Sequence, residues 1–195
     1  MAIAVSGTRC ALREVVLRNK PSEMMTASPK GTVPILVLPD GRVLEESLEI
    51  MHWALRMNDP AGWLAPFNDD RYDIDGLIQE NDGPFKDHLD RYKYPTRYEG
   101  LDPLYYRTRG MVFLNHLNAL LLKKAYLCGN EFSFADAAIS PFIRQFANHD
   151  REWFDMLKLN ALQNWLEAVL EGDNFLGVMK KYAVWKSGME ESTFP

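Results

Sequence analysis

The chain has 195 residues, 47% of them apolar and 25% charged, with a formal net charge of −5. That is enough apolar material for one or two small cored domains, and the acidic balance argues against non-specific binding to nucleic acid or anionic membranes. Two cysteines, Cys10 and Cys128, without a CxxC pair make no disulfide framework and fit a reducing cytosol.

Met1 to Val5 reads as the tail of a helix that Gly7 terminates, too short and uncharged for a signal peptide. No apolar run approaches the length of a membrane helix. Ala11 to Leu17 reads as a strand, and Cys10 at its start reads as a small, half-buried apolar residue. Pro21 to Ser28 reads as a short helix that Pro29 stops.

The stretch from Gly31 to Leu38 (Gly-Thr-Val-Pro-Ile-Leu-Val-Leu) is a loop, a Val33-Pro34 step and a short strand. Pro34 pushes Val33 into the extended region. A cis bond there would turn the loop and present the Val33 N–H and C=O. Pro39-Asp40-Gly41 supplies a turn, so the next strand, Val43-Leu44, should close a hairpin. Glu46 and Ser47 then open a helix, where a hydroxyl and free backbone N–H groups favour a bound carboxylate. Ile50, Met51, Ala54 and Leu55 give that helix one buried face. His52 on it reads as a boundary residue.

Residues 58–66 are dense in Pro, Gly and Asp and read as a linker, and everything after about Phe67 reads as helical. Ile74, Leu77, Ile78, Phe85, Leu89 and Tyr92 form a core stripe that Gly83-Pro84 should kink or split. Leu104 to Leu121 and Leu162 to Leu170 carry two further helices, the second stopped by Gly172. In Phe132-Ser133-Phe134-Ala135-Asp136, Ser133 is an N-cap and Asp136 can return the bond in a capping box. Pro141 should bend that helix. Cys128 reads as a small apolar residue at a helix end. The four histidines are far apart and no GxGxxG, GxxxxGK[ST], HExxH or GxSxG motif occurs, so no metal site or nucleotide loop is implied.

The run from Lys20 to Ser47 resembles the glutathione site of the glutathione S-transferase superfamily, and Asn19-Lys20-Pro21-Ser22-Glu23 with Ser28-Pro29-Lys30-Gly31 looks like its omega-like, bacterial branch. The Phe132–Ile139 stretch resembles the capping box of that family's helical domain, where it serves folding. The resemblance implies an α/β thioredoxin-like N-terminal domain (1–57), the linker (58–66) and an all-helical domain (67–195). It also implies that a first strand, central in the family's sheet and followed by the nucleophile loop, is missing. The chain would start roughly 15–20 residues late. Two explanations stand: Met1 is an internal methionine, or the chain is a truncated relative without catalysis. An empty central slot would leave the Ala11–Leu17 backbone short of partners, at on the order of 1–3 kcal/mol per buried group.

By the same resemblance, glutathione is the co-substrate, with no metal. Lys20 pairs with one of its carboxylates, Val33 with its cysteinyl backbone, Pro34 shapes the loop, and Glu46 with Ser47 holds the γ-glutamyl end. The chain carries no catalytic nucleophile of its own. Asn81, Phe85, His88 and Tyr92 would line a pocket for a small hydrophobic or disulfide substrate, closed by Tyr105, Tyr106 or Trp185. The aromatic members also read as core packing. The expectation is a cytoplasmic glutathione-dependent transferase or thiol transferase, dimeric by family habit, with no nucleic-acid or membrane partner. The alternative is a noncatalytic binding or regulatory protein on the same scaffold.

Overall fold

In a computed structural model, which describes all 195 residues, the chain divides into two compact units. One joins Met1–Ala61 to Asp173–Pro195, and the other is Gly62–Gly172. The C-terminal segment, read from sequence as the end of the helical domain, therefore clusters with the N-terminal residues.

The first unit opens with α1 (Ala2–Ser6), which ends at Gly7 in the left-handed region (φ 68°). That conformation suits a residue without Cβ. Strand β1 (Cys10–Leu12) follows, then α2 (Ser22–Ala27), which has no buried residue. Strands β2 (Leu36–Val37) and β3 (Val43–Leu44) form the expected hairpin, with Leu36 opposite Leu44 and Val37 opposite Val43. The turn closes through Leu38 N–H to the Arg42 carbonyl at 2.8 Å and puts Gly41 at φ 85°, a three-residue loop of the kind that needs a left-handed residue. Helix α3 (Ser47–Met57) buries Ile50, Ala54 and Leu55 and packs on α1.

The predicted Ala11–Leu17 strand is shorter than its sequence suggested. The ladder covers only Cys10 to Leu12, and a tight turn brings Asn19 N–H to the Val16 carbonyl at 2.8 Å, which ends the extended run. Its partner is remote. β4 (Ser192–Phe194) pairs antiparallel with it, Cys10 opposite Phe194 and Leu12 opposite Ser192, so the chain does not stay helical to its end. β1–β4 and β2–β3 are two separate two-stranded sheets.

The second unit is helical. In order come α4 (Ile74–Glu80), α5 (Lys86–Lys93), α6 (Pro103–Leu121), α7 (Phe134–His149), α8 (Arg151–Asp155) and α9 (Asn160–Glu171). A short α10 (Asp173–Leu176) returns the chain to the first unit. Asp73 caps α4 through the Gly76 N–H at 2.9 Å, and Asp102 caps α6 through the Leu104 N–H at 2.9 Å, with Pro103 in the first turn. Gly83-Pro84 splits the stripe as expected: Asn81–Phe85 is a π-helical turn between α4 and α5, which accommodates a proline that has no N–H to give. Phe85, Phe113, Tyr92 and Phe146 make the aromatic centre, with ring centroids 5.0 to 5.4 Å apart.

The capping box of α7 is complete. Asp136, fully buried, accepts from Ser133 N–H (2.9 Å), Ser133 Oγ (2.6 Å), Leu127 N–H (2.9 Å) and Trp165 Nε1 (2.8 Å). Burial pushes its carboxyl up, and these four donors pull it back down. No helix is long and apolar enough to cross a membrane.

Candidate functional site

The residues from Lys20 to Ser47 meet on one patch of the first unit. Gly31 (φ 61°) lets the chain turn where Lys20 lies: an added Cβ would sit 3.1 Å from Lys20 Nζ and 3.0 Å from Met25 Sδ. Lys30, one residue earlier, reaches Glu46 Oε1 at 2.5 Å. Ser28 Oγ donates to Glu45 Oε1, so the loop is pinned to the start of α3 at two points. Val33 follows, 48% exposed, on a cis bond to Pro34. Its N–H and C=O make no hydrogen bond within the protein. Glu46 stands at the N-cap of α3 without capping it by side chain, and Ser47 begins the helix with its hydroxyl exposed.

The chemistry on offer is a zwitterion-binding one. Lys20 has no ion pair, and the α3 N-terminus offers the free N–H groups of a first turn with their partial positive charge. Glu46 adds a carboxylate that now holds a cation, Lys30. Sequence reasoning missed Lys30, because a residue sixteen positions upstream leaves no periodic signature, although its charge opposite Glu46 was in view.

Beside this patch runs a groove of about 380 Å³, lined by Leu12, Val15, Met24, Val33, Ile35 and Trp185 among others. Trp185, expected from sequence to close a pocket beside Tyr105 and Tyr106, belongs here. It is buried to 7% exposure, its main-chain N–H donates to the Glu14 carbonyl (2.9 Å), and Arg13 stacks on its ring at 4.4 Å.

The other predicted set lies in the second unit. Phe85 and Tyr92 are almost fully buried, at 1% and 4% exposure, against Phe113 and Phe146, so their rings are used in packing. Asn81 donates from Nδ2 to Asp82 (2.8 Å), and its buried Oδ1 has no partner. His88, expected in the lining of that pocket, is half-buried against Tyr106. Its buried Nδ1 lies 3.9 Å from Asp87 Oδ2, beyond hydrogen-bond reach. Burial, and then the positive charge of Arg109, push its pKa down.

Neither thiol is activated. Cys10 is pushed up by burial, and Cys128 is raised to about 11 by burial. A nucleophilic thiol needs the opposite shift. No group of three or more His, Cys, Asp or Glu side chains is placed to hold a metal ion.

Comparison with known proteins gives the geometry its context. The family model described as "Glutathione S-transferase, N-terminal domain" matches residues 3–56, and "Glutathione S-transferase, C-terminal domain" matches residues 111–168. A search of the curated proteins found no match. Among solved structures, a glutathione S-transferase from Xylella fastidiosa is similar at 19% identity and a TM-score of 0.74, over 90% of this chain and 88% of that one. BphK, a bacterial glutathione S-transferase solved as a ternary complex, is similar at 22% identity and a TM-score of 0.73, also over 90% and 88%. A glutathione S-transferase domain-containing protein from Marinobacter aquaeolei is similar at 16% identity and 0.65, over 89% and 91%. At such identities the solved structures speak for the fold, and the two family models cover the glutathione and helical domains in their proper order. The chain belongs to the glutathione S-transferase superfamily.

Proposed function

We propose that the protein is a glutathione-dependent transferase whose co-substrate lies on the Lys20–Ser47 patch. The observation that carries this is the unpaired Val33 backbone, two residues after the Gly31 that lies against Lys20, on a loop that Ser28 and Lys30 tie to Glu45 and Glu46 at the start of α3. An extended tripeptide with a carboxylate at each end and one ammonium group matches that arrangement. Val33 N–H and C=O pair with its central backbone. Ser47 Oγ and the first-turn N–H groups of α3 take the γ-glutamyl carboxylate. Glu46 takes the ammonium group in place of Lys30, and Lys20 takes the glycyl carboxylate. In this reading the chain's residues bind and orient glutathione, and the second substrate is a small hydrophobic electrophile or a mixed disulfide. A thiol-transfer specificity of the omega-like kind is part of the proposal, as are a cytoplasmic setting and a homodimer.

A second reading is favoured by one feature: burial pushes both thiols of the chain up, the direction opposite to an activated nucleophile. On it, the patch binds glutathione without turning it over, and the protein acts by association. Titration calorimetry with glutathione, followed by a conjugation assay with a chloronitrobenzene electrophile, tests both. Saturable heat with turnover supports the transferase, and saturable heat without turnover supports the binding protein. Absence of heat at millimolar glutathione overturns both.

A further inference from the structure

A methionine sulfur sits against the turn that leads to Val33. A Cβ added at Gly31 would lie 3.0 Å from Met25 Sδ and 3.3 Å from its Cε, closer than packed atoms come, and 3.1 Å from Lys20 Nζ. Thioether, turn and ammonium therefore share one small space, which stays open because residue 31 has no side chain. Met25 belongs to α2, and the turn follows directly: Gly31 N–H donates to the Ser28 carbonyl at 3.0 Å. Lys30, in the same turn, reaches Glu46, and Val33 comes two residues after Gly31. A displacement at Gly31 is thus delivered to both. Met25 is 39% exposed, so reagents in solvent reach it.

A thioether is a weak acceptor, so the sulfur lies beside Lys20 without competing for its protons. Oxidation changes that. The sulfur lone pair takes the terminal oxygen of a hydroperoxide: the O–O bond breaks and an S–O bond forms. The proton of that oxygen passes to the departing one, which leaves as water or an alcohol. Sulfur gives up the two electrons that the peroxide gains. The sulfoxide is polar and chiral where the thioether was apolar. Next to an ammonium group its oxygen accepts a charge-assisted hydrogen bond.

We propose that Met25 is a peroxide-sensitive modification site that regulates glutathione binding on the Lys20–Ser47 patch. With the thioether reduced, Lys20 is available to the glycyl carboxylate. With the sulfoxide formed, its oxygen takes the Lys20 ammonium, and the crowded turn at Gly31 shifts and moves Lys30 and Val33 with it. Glutathione then binds more weakly. A dithiol-dependent sulfoxide reductase reverses the change: the oxygen leaves as water and the dithiol becomes a disulfide. The proposal rests on the glutathione reading of the patch and adds its regulation. Four methionines more exposed than Met25 lie elsewhere. Met57 (67%) is at the end of α3 remote from Glu46, Met156 (75%) follows α8, and Met179 and Met189 (47% each) are in the C-terminal segment. They serve as internal controls.

The test treats the isotope-labelled full chain with hydrogen peroxide, alongside Met25→Leu, a volume-conserving change that removes the sulfur. Peptide mass spectrometry should find one added oxygen on Met25. Calorimetry should then give glutathione binding at least about fivefold weaker in the treated wild type, and unchanged in treated Met25→Leu, whose other methionines are oxidised equally. Met25→Gln, which places a polar acceptor at the same position, should weaken binding without peroxide. An oxidised wild type that keeps its affinity overturns the proposal. So does an equal loss in Met25→Leu, which would assign the effect to another methionine, and so does a Met25 that stays unoxidised while Met57 and Met156 react. If the untreated protein gives no heat with glutathione, the transferase reading fails by itself. The Met25 contact is then judged from resonances alone: those of Gly31 and Lys20 should move when Met25 gains its oxygen, and unmoved resonances overturn it.

Discussion

Trp185 donates its main-chain N–H to the carbonyl of Glu14 at 2.9 Å, while the Arg13 guanidinium covers its indole at 4.4 Å. This one residue ties the C-terminal segment to the first strand. The indole Nε1 donates to the Met189 carbonyl at 3.0 Å, closing a small loop ahead of β4. Glu191 then reaches back to Arg13, and β4 completes the ladder with β1. The exposed ion pair contributes little, about 0–1 kcal/mol, whereas burial of an indole contributes several times that.

Trp185→Ala should therefore cost about 3–5 kcal/mol locally, enough to release the segment, and Arg13→Ala should cost far less. Hydrogen exchange of the full chain gives the readout. In Trp185→Ala the amides of Ser192 to Phe194 lose protection while those of α6 keep theirs. Unchanged protection in β4 would show that the ladder, and not the indole, holds the segment.

A second expectation concerns the Lys30–Glu46 pair and rests on the proposed glutathione site. Glu46→Ala should weaken glutathione binding roughly tenfold, the usual consequence of removing a charged partner. His88→Ala should leave it nearly unchanged. Lys30→Met should tighten binding, because it frees the Glu46 carboxylate from its present cation. Calorimetric dissociation constants for the three variants decide the matter, and equal effects of Glu46→Ala and His88→Ala would sink the site assignment.

How much of this was legible beforehand follows from how local each signal is. The hairpin, the exposed Val33-Pro34 step and the Ser133–Asp136 capping box are set by residues within a few positions of one another, and the sequence displays them. The further donors to Asp136, Leu127 N–H and Trp165 Nε1, come from outside the motif and had no signature. The β1–β4 pairing was illegible for the same reason at larger scale. Ser192-Thr193-Phe194 is too short to show alternation, and its partner lies at the other end of the chain. Among the four residues read as a substrate pocket, periodicity placed Phe85 and Tyr92 on the apolar stripe. Burial then shows both rings packed in the core, and leaves Asn81 and His88 as the polar members.

His88 supplies a pH test. Burial and Arg109 lower its pKa, and Asp87 at 3.9 Å is too far to hold the imidazolium by a hydrogen bond. The folded protein thus keeps His88 neutral at a pH where the unfolded chain, with a pKa of about 6.5, has begun to protonate it. Between the lowered folded value and about 6.5 the unfolded state binds more protons, so stability rises with pH across that window. Below both values the penalty is full and constant. Urea unfolding of the wild type and His88→Gln at a series of pH values should show this rise in the first and its loss in the second. Parallel curves would mean that His88 is solvated in both states.

The last expectation sets two known effects against each other at Gly110, in the middle of α6. Replacing an interior helical glycine by alanine gains about 0.5–1 kcal/mol from backbone entropy alone. Here, however, an added Cβ would lie 2.7 Å from Phe146 Cε2 and 3.1 Å from its Cζ, with Phe85 Cε2 at 3.6 Å. Phe146 is fully buried and already packed against Phe85 at 5.4 Å, Tyr92 at 5.3 Å and Trp153 at 6.1 Å. Its ring has no open direction in which to move, so the methyl overpacks the aromatic centre at a cost of about 1–3 kcal/mol. The steric effect is the larger, and Gly110→Ala should destabilise the protein. Making room in the same background, with Phe146→Leu, should recover part of that loss, so the double mutant should be less destabilised than the sum of its two single changes. A stabilised Gly110→Ala, or strict additivity in the cycle, would mean that α6 and α7 slide apart freely and that the close approach at Gly110 is not a packing constraint.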